Sequence, residues 1–300
     1  MSLARGQLDR AWDAFWFRPG SALDLAAARV LVSATAIWVL LSRDLPALSG
    51  VPSAFWSTVP AAYEWRYLLF PGHESLERWL QGLALLALAA TLLGVFPRIG
   101  ALVAGVLLVH LAPLESFQWS SSAFTWSIPI LGLFFVSASP CGDALSLLPA
   151  RGTPAMGWQY HWPVQAIRVQ LCMLYFFSGY SKMIHAGLGW AAPTHMQAWI
   201  LGFYQREHPV FTAFAPWVAQ HLWLCGAIGM LALAVEFSFP LTLISRKARL
   251  LLVPLALAMH LGIVLLLNIT VFYWPVLLVF VDWQSLAARW RASRTPPRTA

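Results

Sequence analysis

The sequence predicts an all-α polytopic transmembrane helical bundle of about eight spans, with both termini cytoplasmic. Three observations carry that expectation. The 300 residues are 59% hydrophobic and only 10% charged, with a mean hydropathy of +0.67, where soluble chains carry about 25% charged residues. Apolar runs of roughly 18 to 25 residues recur, the length at which a helix crosses a bilayer. The charges gather in short loops and at the two ends, with arginine outnumbering lysine 17 to two. The same figures exclude intrinsic disorder, collagen and coiled coil.

The opening stretch, Met1 to Ser21, mixes Arg and Asp with Trp12, Phe15, Trp16 and Phe17. It reads as an amphipathic helix in the membrane interface rather than a cleavable signal. A transmembrane domain then covers residues 22–283. Its first span is Ala22 to Ser42, followed by a polar, aromatic segment, Arg43 to Ser75. The second runs from Leu76 to Phe96, and Pro97-Arg98 turns into the third, Ile99 to Ala112. The fourth, Ser121 to Ser139, carries Pro129 as an expected kink. A loop rich in Gly and Pro, Pro140 to Trp162, leads to the fifth, Pro163 to His185, with Pro163 expected in the first turn. Ala186 to Pro216, full of Trp, His and Pro, belongs at the interface or in the mouth of the bundle. The sixth span is Trp217 to Ile244. A basic turn, Ser245 to Arg249, precedes the seventh, Leu250 to Asn268. A short eighth, Ile269 to Trp283, precedes a basic cytoplasmic tail, residues 284–300.

With eight spans and both ends inside, twelve Lys and Arg residues lie on the inner side and four on the outer. That is the positive-inside bias, and it points to a plasma (inner) membrane protein. The net charge of +7 then calls for anionic lipid headgroups rather than nucleic acid. Cys141, Cys172 and Cys225 are widely separated, which suits inert buried thiols. No C-x-x-C or H-E-x-x-H occurs, so no metal site is expected.

Three cations, Arg29, Arg168 and Lys182, remain inside the spans. A charge at the bilayer centre costs about 2.5–3.5 kcal/mol on insertion scales, so each needs a partner or a task. Asp24, Arg29, Arg168 and Glu236 fall in the inner half. They are expected to form a neutral ion-pair network tying three helices together, with a substrate or ion path as the alternative. The outer half gathers His110, Glu115, Lys182, His185, His221 and His260 from four helices, which suggests a functional pocket, with interface anchoring and packing as the alternative. On the fifth span, Arg168, Tyr175 and Lys182 share one stripe at 100° per residue, with Ser178 and Gly179 beside it. Burial readily turns a lysine into a neutral amine, a plausible general base. A lysine snorkelling to the headgroups is the competing reading.

The fifth span also resembles the lysine-bearing helix of the vitamin K-dependent gamma-carboxylase family, which includes bacterial proteins with the HTTM (horizontally transferred transmembrane) domain. The resemblance rests on Arg168, Gln170, Tyr175, Phe176, Ser178, Gly179 and Lys182, then Trp190. Arg29, Glu236 before Pro240, and His260 are similar to other marks of the domain. It implies a reduced quinone as cofactor, of the vitamin K hydroquinone or menaquinol type. It implies Lys182 as the catalytic base, aided by His110, His221 or His260, and substrate binding by Tyr175, Ser178, Gly179 and Trp190. The family's assisting histidine would fall near Ser120 to Ser122, where there are only serines, and the lysine before the catalytic one is Ser181. Its large substrate-gripping domain has no counterpart after the last span, so carboxylation of protein glutamate is not what the sequence favours. Two classes of function follow. One is a quinol-linked membrane enzyme with membrane lipids as surroundings. The other is a non-enzymatic transporter or a subunit binding an unknown protein partner.

Overall fold

The computed structural model describes residues 2–50, 74–116, 123–148, 156–207 and 214–294. Among them the chain is helical, with no strand and a single antiparallel bridge between Gly20 and Gly157. Most of the aromatic segment before the second span and the serines at 120–122 lie outside the described residues.

Twelve α-helices are described. They are α1 Ser2–Trp16, α2 Ala22–Leu41, α3 Leu45–Ser49, α4 Glu74–Leu93, α5 Pro97–Ser116 and α6 Ala123–Ser137, then α7 Trp158–Ala186, α8 Pro193–Glu207, α9 Phe214–Ala219, α10 Leu222–Ser238, α11 Arg246–Leu267 and α12 Trp283–Arg294. Four stretches are long and apolar enough to cross a membrane: Ala22–Leu41, Glu74–Leu93, Leu222–Leu243 and Arg246–Leu267. Pro97–Ala112 and Trp126–Ser137 are shorter apolar helices. α7 has the length, at 29 residues, but carries the polar stripe described above.

The chain divides into two compact units, residues 1–167 with 281–300, and residues 168–280. The first unit is a closed ring of four helices in which α2 packs on α4 and α6, and α5 packs on α4 and α6. The tight turn through Gly94 (φ 75°) makes α4 and α5 neighbours, as short connections do in bundles. α2 buries Leu25, Arg29, Val32, Ala36 and Leu40, one helical stripe. Small residues set the helix spacing: a Cβ on Gly100 would stand 2.6 Å from the Thr91 hydroxyl, and one on Gly132 3.0 Å from Val32. Close approach at small residues is the usual membrane packing device.

Arg29 lies fully buried in this ring. Its guanidinium donates to the Cys141 carbonyl at 2.6 Å, to the Ala144 and Leu145 carbonyls, and to Ser146 Oγ at 2.9 Å. The irregular loop after α6 is thus capped by one side chain. Beside it, burial pushes the Cys141 thiol up to about 11, which suits the inert role expected of it. Asp24 instead accepts the N–H groups of Trp283 and Gln284.

In the second unit α10 packs on α8, α9 and α11, around Met196, Ile200, Ala215, Val218, Cys225 and Leu266. Four boundaries differ from expectation. The sixth span starts at Leu222, with His221 as its N-cap and Trp217 on the separate helix α9. It gives way to a 3-10 turn, Phe239–Leu243, because Pro240 has no N–H and disfavours helix before it. The basic residues 246–249 form the first turn of α11, since Ser245 accepts the Ala248 N–H and caps it. Pro163 lies inside α7 rather than in its first turn.

The expected eighth helix is a return leg instead. Asn268 ends α11 in the left-handed region (φ 51°), and a seven-residue 3-10 segment follows, Trp274–Phe280. Pro275 and the β-branched and aromatic residues around it disfavour an α-helix. The leg retraces α11: Tyr273 meets His260 edge-on at 5.5 Å, and Phe280 lies 6.0 Å from the Arg249 guanidinium. From Arg249 to Asn268, α11 rises about 28 Å, nearly a bilayer core.

Replacing Arg29 by methionine keeps bulk but strips several acceptors of their donor, at about 1–3 kcal/mol for each buried group left unpaired. A marked fall in thermal stability in detergent is expected, with Arg29→Lys intermediate because an ammonium cannot fork across the same set.

Candidate functional site

α7 presents Arg168, Tyr175 and Lys182 at seven-residue intervals, two helical turns apart. Each finds a polar partner within the second unit. Arg168 donates through Nε and Nη2 to the Val279 carbonyl at 3.0 and 2.7 Å, and its guanidinium lies 5.7 Å from the Phe280 ring. It satisfies a carbonyl near the end of the 3-10 return leg. The Tyr175 hydroxyl lies 2.6 Å from His260 Nε2, and its ring stacks on Phe239 at 4.1 Å. Both residues are buried.

Lys182 donates to Glu236 Oε1 and, at 2.9 Å, to Ser178 Oγ. The Ser178 hydroxyl itself donates to Glu236 Oε1 at 3.0 Å. The Lys182 side chain is 22% exposed and that of Glu236 7%, so the pair stands at the edge of the interior with its amine towards the opening. The amine also lies 4.8 Å from the Trp190 ring. That tryptophan belongs to the 3-10 turn Gly187–Ala191, where Gly187 takes φ 56° to break α7. Glu236 Oε2 and His260 Nδ1 are buried and without a hydrogen-bond partner among the described residues. Gly179 makes the pair reachable: a Cβ there would stand 3.1 Å from the Glu236 Cβ and 3.2 Å from the Phe237 ring.

Two expectations need correction. Arg29 and Glu236 do not join the ion-pair network expected of Asp24, Arg29, Arg168 and Glu236. Arg29 is met by carbonyls and a serine, and Glu236 is taken by Lys182. Depths assigned from span order placed Glu236 and Lys182 at opposite levels, but the helix packing puts them in contact. Within the second unit, Lys182 is met by Glu236, Ser178 and Trp190 rather than by an imidazole. His110 belongs to the first unit and pairs with Glu77 at 3.0 Å. His221 is at the other end of α10 from Glu236, about 22 Å along the axis at 1.5 Å per residue, with Nδ1 on the Trp217 carbonyl. His185 is exposed and bonds the Ser181 carbonyl. His260 engages Tyr175. The Glu115 side chain lies outside the described residues.

The reading of the sequence missed two residues. Glu77 is fully buried beneath His110; its partner lies 33 residues away, and no local pattern marks it. His195 lies 6.5 Å from Trp190, ring to ring, in a segment whose helix, α8, was not expected.

No protein-family model, no curated protein and no solved structure matches the chain. The class that fold and site define is therefore an all-helical protein with several apolar helices, compatible with an integral membrane protein, holding a half-buried lysine–glutamate pair.

Two measurements probe this arrangement. Lys182→Met leaves a buried carboxylate unpaired, which costs about 3–5 kcal/mol, whereas the double variant Lys182→Met, Glu236→Met is expected to recover most of that loss. A thermal-unfolding cycle reads the difference. Gly179→Ala is expected to destabilise by about 1–3 kcal/mol through overpacking, while Gly262→Ala on α11, with nothing within 4 Å, should be neutral or mildly stabilising.

Proposed function

We propose that this chain is an integral membrane protein related to HTTM-domain proteins, set in the plasma membrane with both termini cytoplasmic, and that it binds a lipid-soluble quinol beside Lys182. The observation that carries the reading is the half-open Lys182–Glu236–Ser178 cluster facing Trp190. The return leg supports eight crossings, since it runs back along α11 from the level of His260 to that of Arg249 without being an α-helix.

The residues suit such a ligand on three counts. The unpartnered Oε2 of Glu236 is a buried acceptor for a hydroxyl proton. The Lys182 ammonium can hold the oxygen from which that proton leaves. Trp190 and Phe237 offer flat apolar surface to a ring. The pair thus divides the work between two side chains: the carboxylate accepts the proton and the cation stabilises developing negative charge. The quinol itself supplies reducing electrons when bound. Tyr175, two turns along α7, and its partner His260 on α11 shape the interior side of the site, and Gly179 sets the spacing of α7 and α10.

Mass spectrometry of the lipid extract from purified protein tests the proposal. The wild type is expected to carry a quinone, Lys182→Arg, which keeps a cation beside the carboxylate, to retain both the quinone and proton uptake by Glu236, and Glu236→Gln to lose both. A wild-type protein without quinone whose unfolding temperature rises with a soluble solute would favour transport instead. Full quinol turnover by Glu236→Gln would overturn the assignment of the acceptor.

A further inference from the structure

The first unit carries a feature that the lysine site does not use. α12 begins where the Asp24 carboxylate of α2 accepts the Trp283 N–H at 2.8 Å and the Gln284 N–H at 3.3 Å, an N-cap supplied by another helix. The Ser21 hydroxyl adds a bond to Gln284 Oε1 at 3.1 Å. From that anchor the helix runs for 12 residues with no buried side chain.

At 100° per residue, Trp283, Ala287, Trp290 and Arg294 share one stripe, with Leu286 at its edge. Between this stripe and the start of α2 lies a cleft of about 450 Å³, walled almost wholly by apolar groups of Leu23, Ala27, Leu145, Trp283, Leu286 and Trp290. That is within the roughly 300–1,000 Å³ of small-molecule sites. The Arg294 guanidinium lies 3.9 Å from the centroid of the Trp290 ring, so a cation is held against one wall of the slot. Charge is partitioned along the helix. Asp24 and Asp282 stand at its start, both engaged with backbone N–H groups, and no acidic residue follows from Trp283 to Ala300. Arg291 and Arg294 occupy the last turn, the end at which the helix dipole favours cations.

An apolar slot bordered by a stacked guanidinium matches an amphiphile with an acyl chain and an anionic head. A soluble anion would leave the slot unused, and a neutral lipid would leave the arginine unused. We propose that the α2–α12 cleft binds an anionic phospholipid, one acyl chain lying in the slot and the phosphate meeting Arg294. Its place at the start of α2 and of the arginine-bearing terminal helix fits the cytoplasmic leaflet, where membranes concentrate anionic lipid. The proposal rests on the membrane placement and cytoplasmic termini proposed above, and not on the quinol.

Full-length protein in nanodiscs of phosphatidylcholine with a minor fraction of phosphatidylglycerol provides the test. After transfer to detergent, the lipids retained by the protein are counted by mass spectrometry. The wild type is expected to retain phosphatidylglycerol over phosphatidylcholine. Arg294→Ala should lower that retention about fivefold, the effect of one interfacial cation. Ala287→Trp, which fills the slot from an unburied helix position, should abolish the preference. Arg289→Ala, off the stripe, should leave it near wild type. Equal retention by all four proteins, or equal losses from Arg289→Ala and Arg294→Ala, would overturn a defined site in favour of diffuse surface charge. Disulfide-linked dimers of a Trp290→Cys variant, formed in the nanodisc, would show the stripe to be an interface between copies and overturn it as well.

Discussion

A buried carbonyl oxygen has no water to turn to, and where the described chain leaves the α-helix inside the core a donor must be brought to it. Arg29 does so for the loop after α6, gathering three carbonyls and a serine hydroxyl around one guanidinium. Arg168 does so for the return leg after α11, with two N–H groups on the Val279 carbonyl. Both arginines are buried in helices, and both serve backbone that sequence neighbours cannot satisfy. The guanidinium suits this task because it offers several donors in a fixed plane and does not give up its charge.

The lysine site rests on the same constraint met differently. Lys182 and Glu236 come from α7 and α10, and a hydroxyl on the same helix as the lysine bridges them. Their contact depends on Gly179, because any side chain there would push α10 away. Pro240, four residues beyond Glu236, stops α10 just after the carboxylate. Charge, spacing and termination thus converge within a few residues of α10. The arrangement exposes the amine while burying the acid, which a surface ion pair would not do.

Much of the fold was legible in hydropathy alone. The first two apolar runs fall on helices long and apolar enough to cross a membrane, the next two on shorter apolar helices, and the long fifth helix lies where the apolar run placed it. Where expectation failed, the cause was local chemistry competing with hydropathy. Ser245 capped a helix that begins within a basic run, Pro240 turned the end of the sixth span from α-helix to 3-10, and Pro275 with its β-branched neighbours turned an apolar run into a 3-10 leg. The stripe on α7 was visible as a period of seven, but the partner of each residue was not.

The sequence by itself determined that the chain is helical and apolar, and which few polar groups must be reckoned with inside it. Composition and periodicity suffice for that because they act along one helix at a time. Only the tertiary structure decided which charge meets which. It took Glu236 from the arginines and gave it to Lys182, gave His110 to Glu77, and set Asp24 at the head of α12. Such pairings depend on how far each helix is shifted and rotated against its neighbours. A turn of offset moves a side chain by about 5 Å, more than the reach of a hydrogen bond, and no pattern within a single segment records that offset.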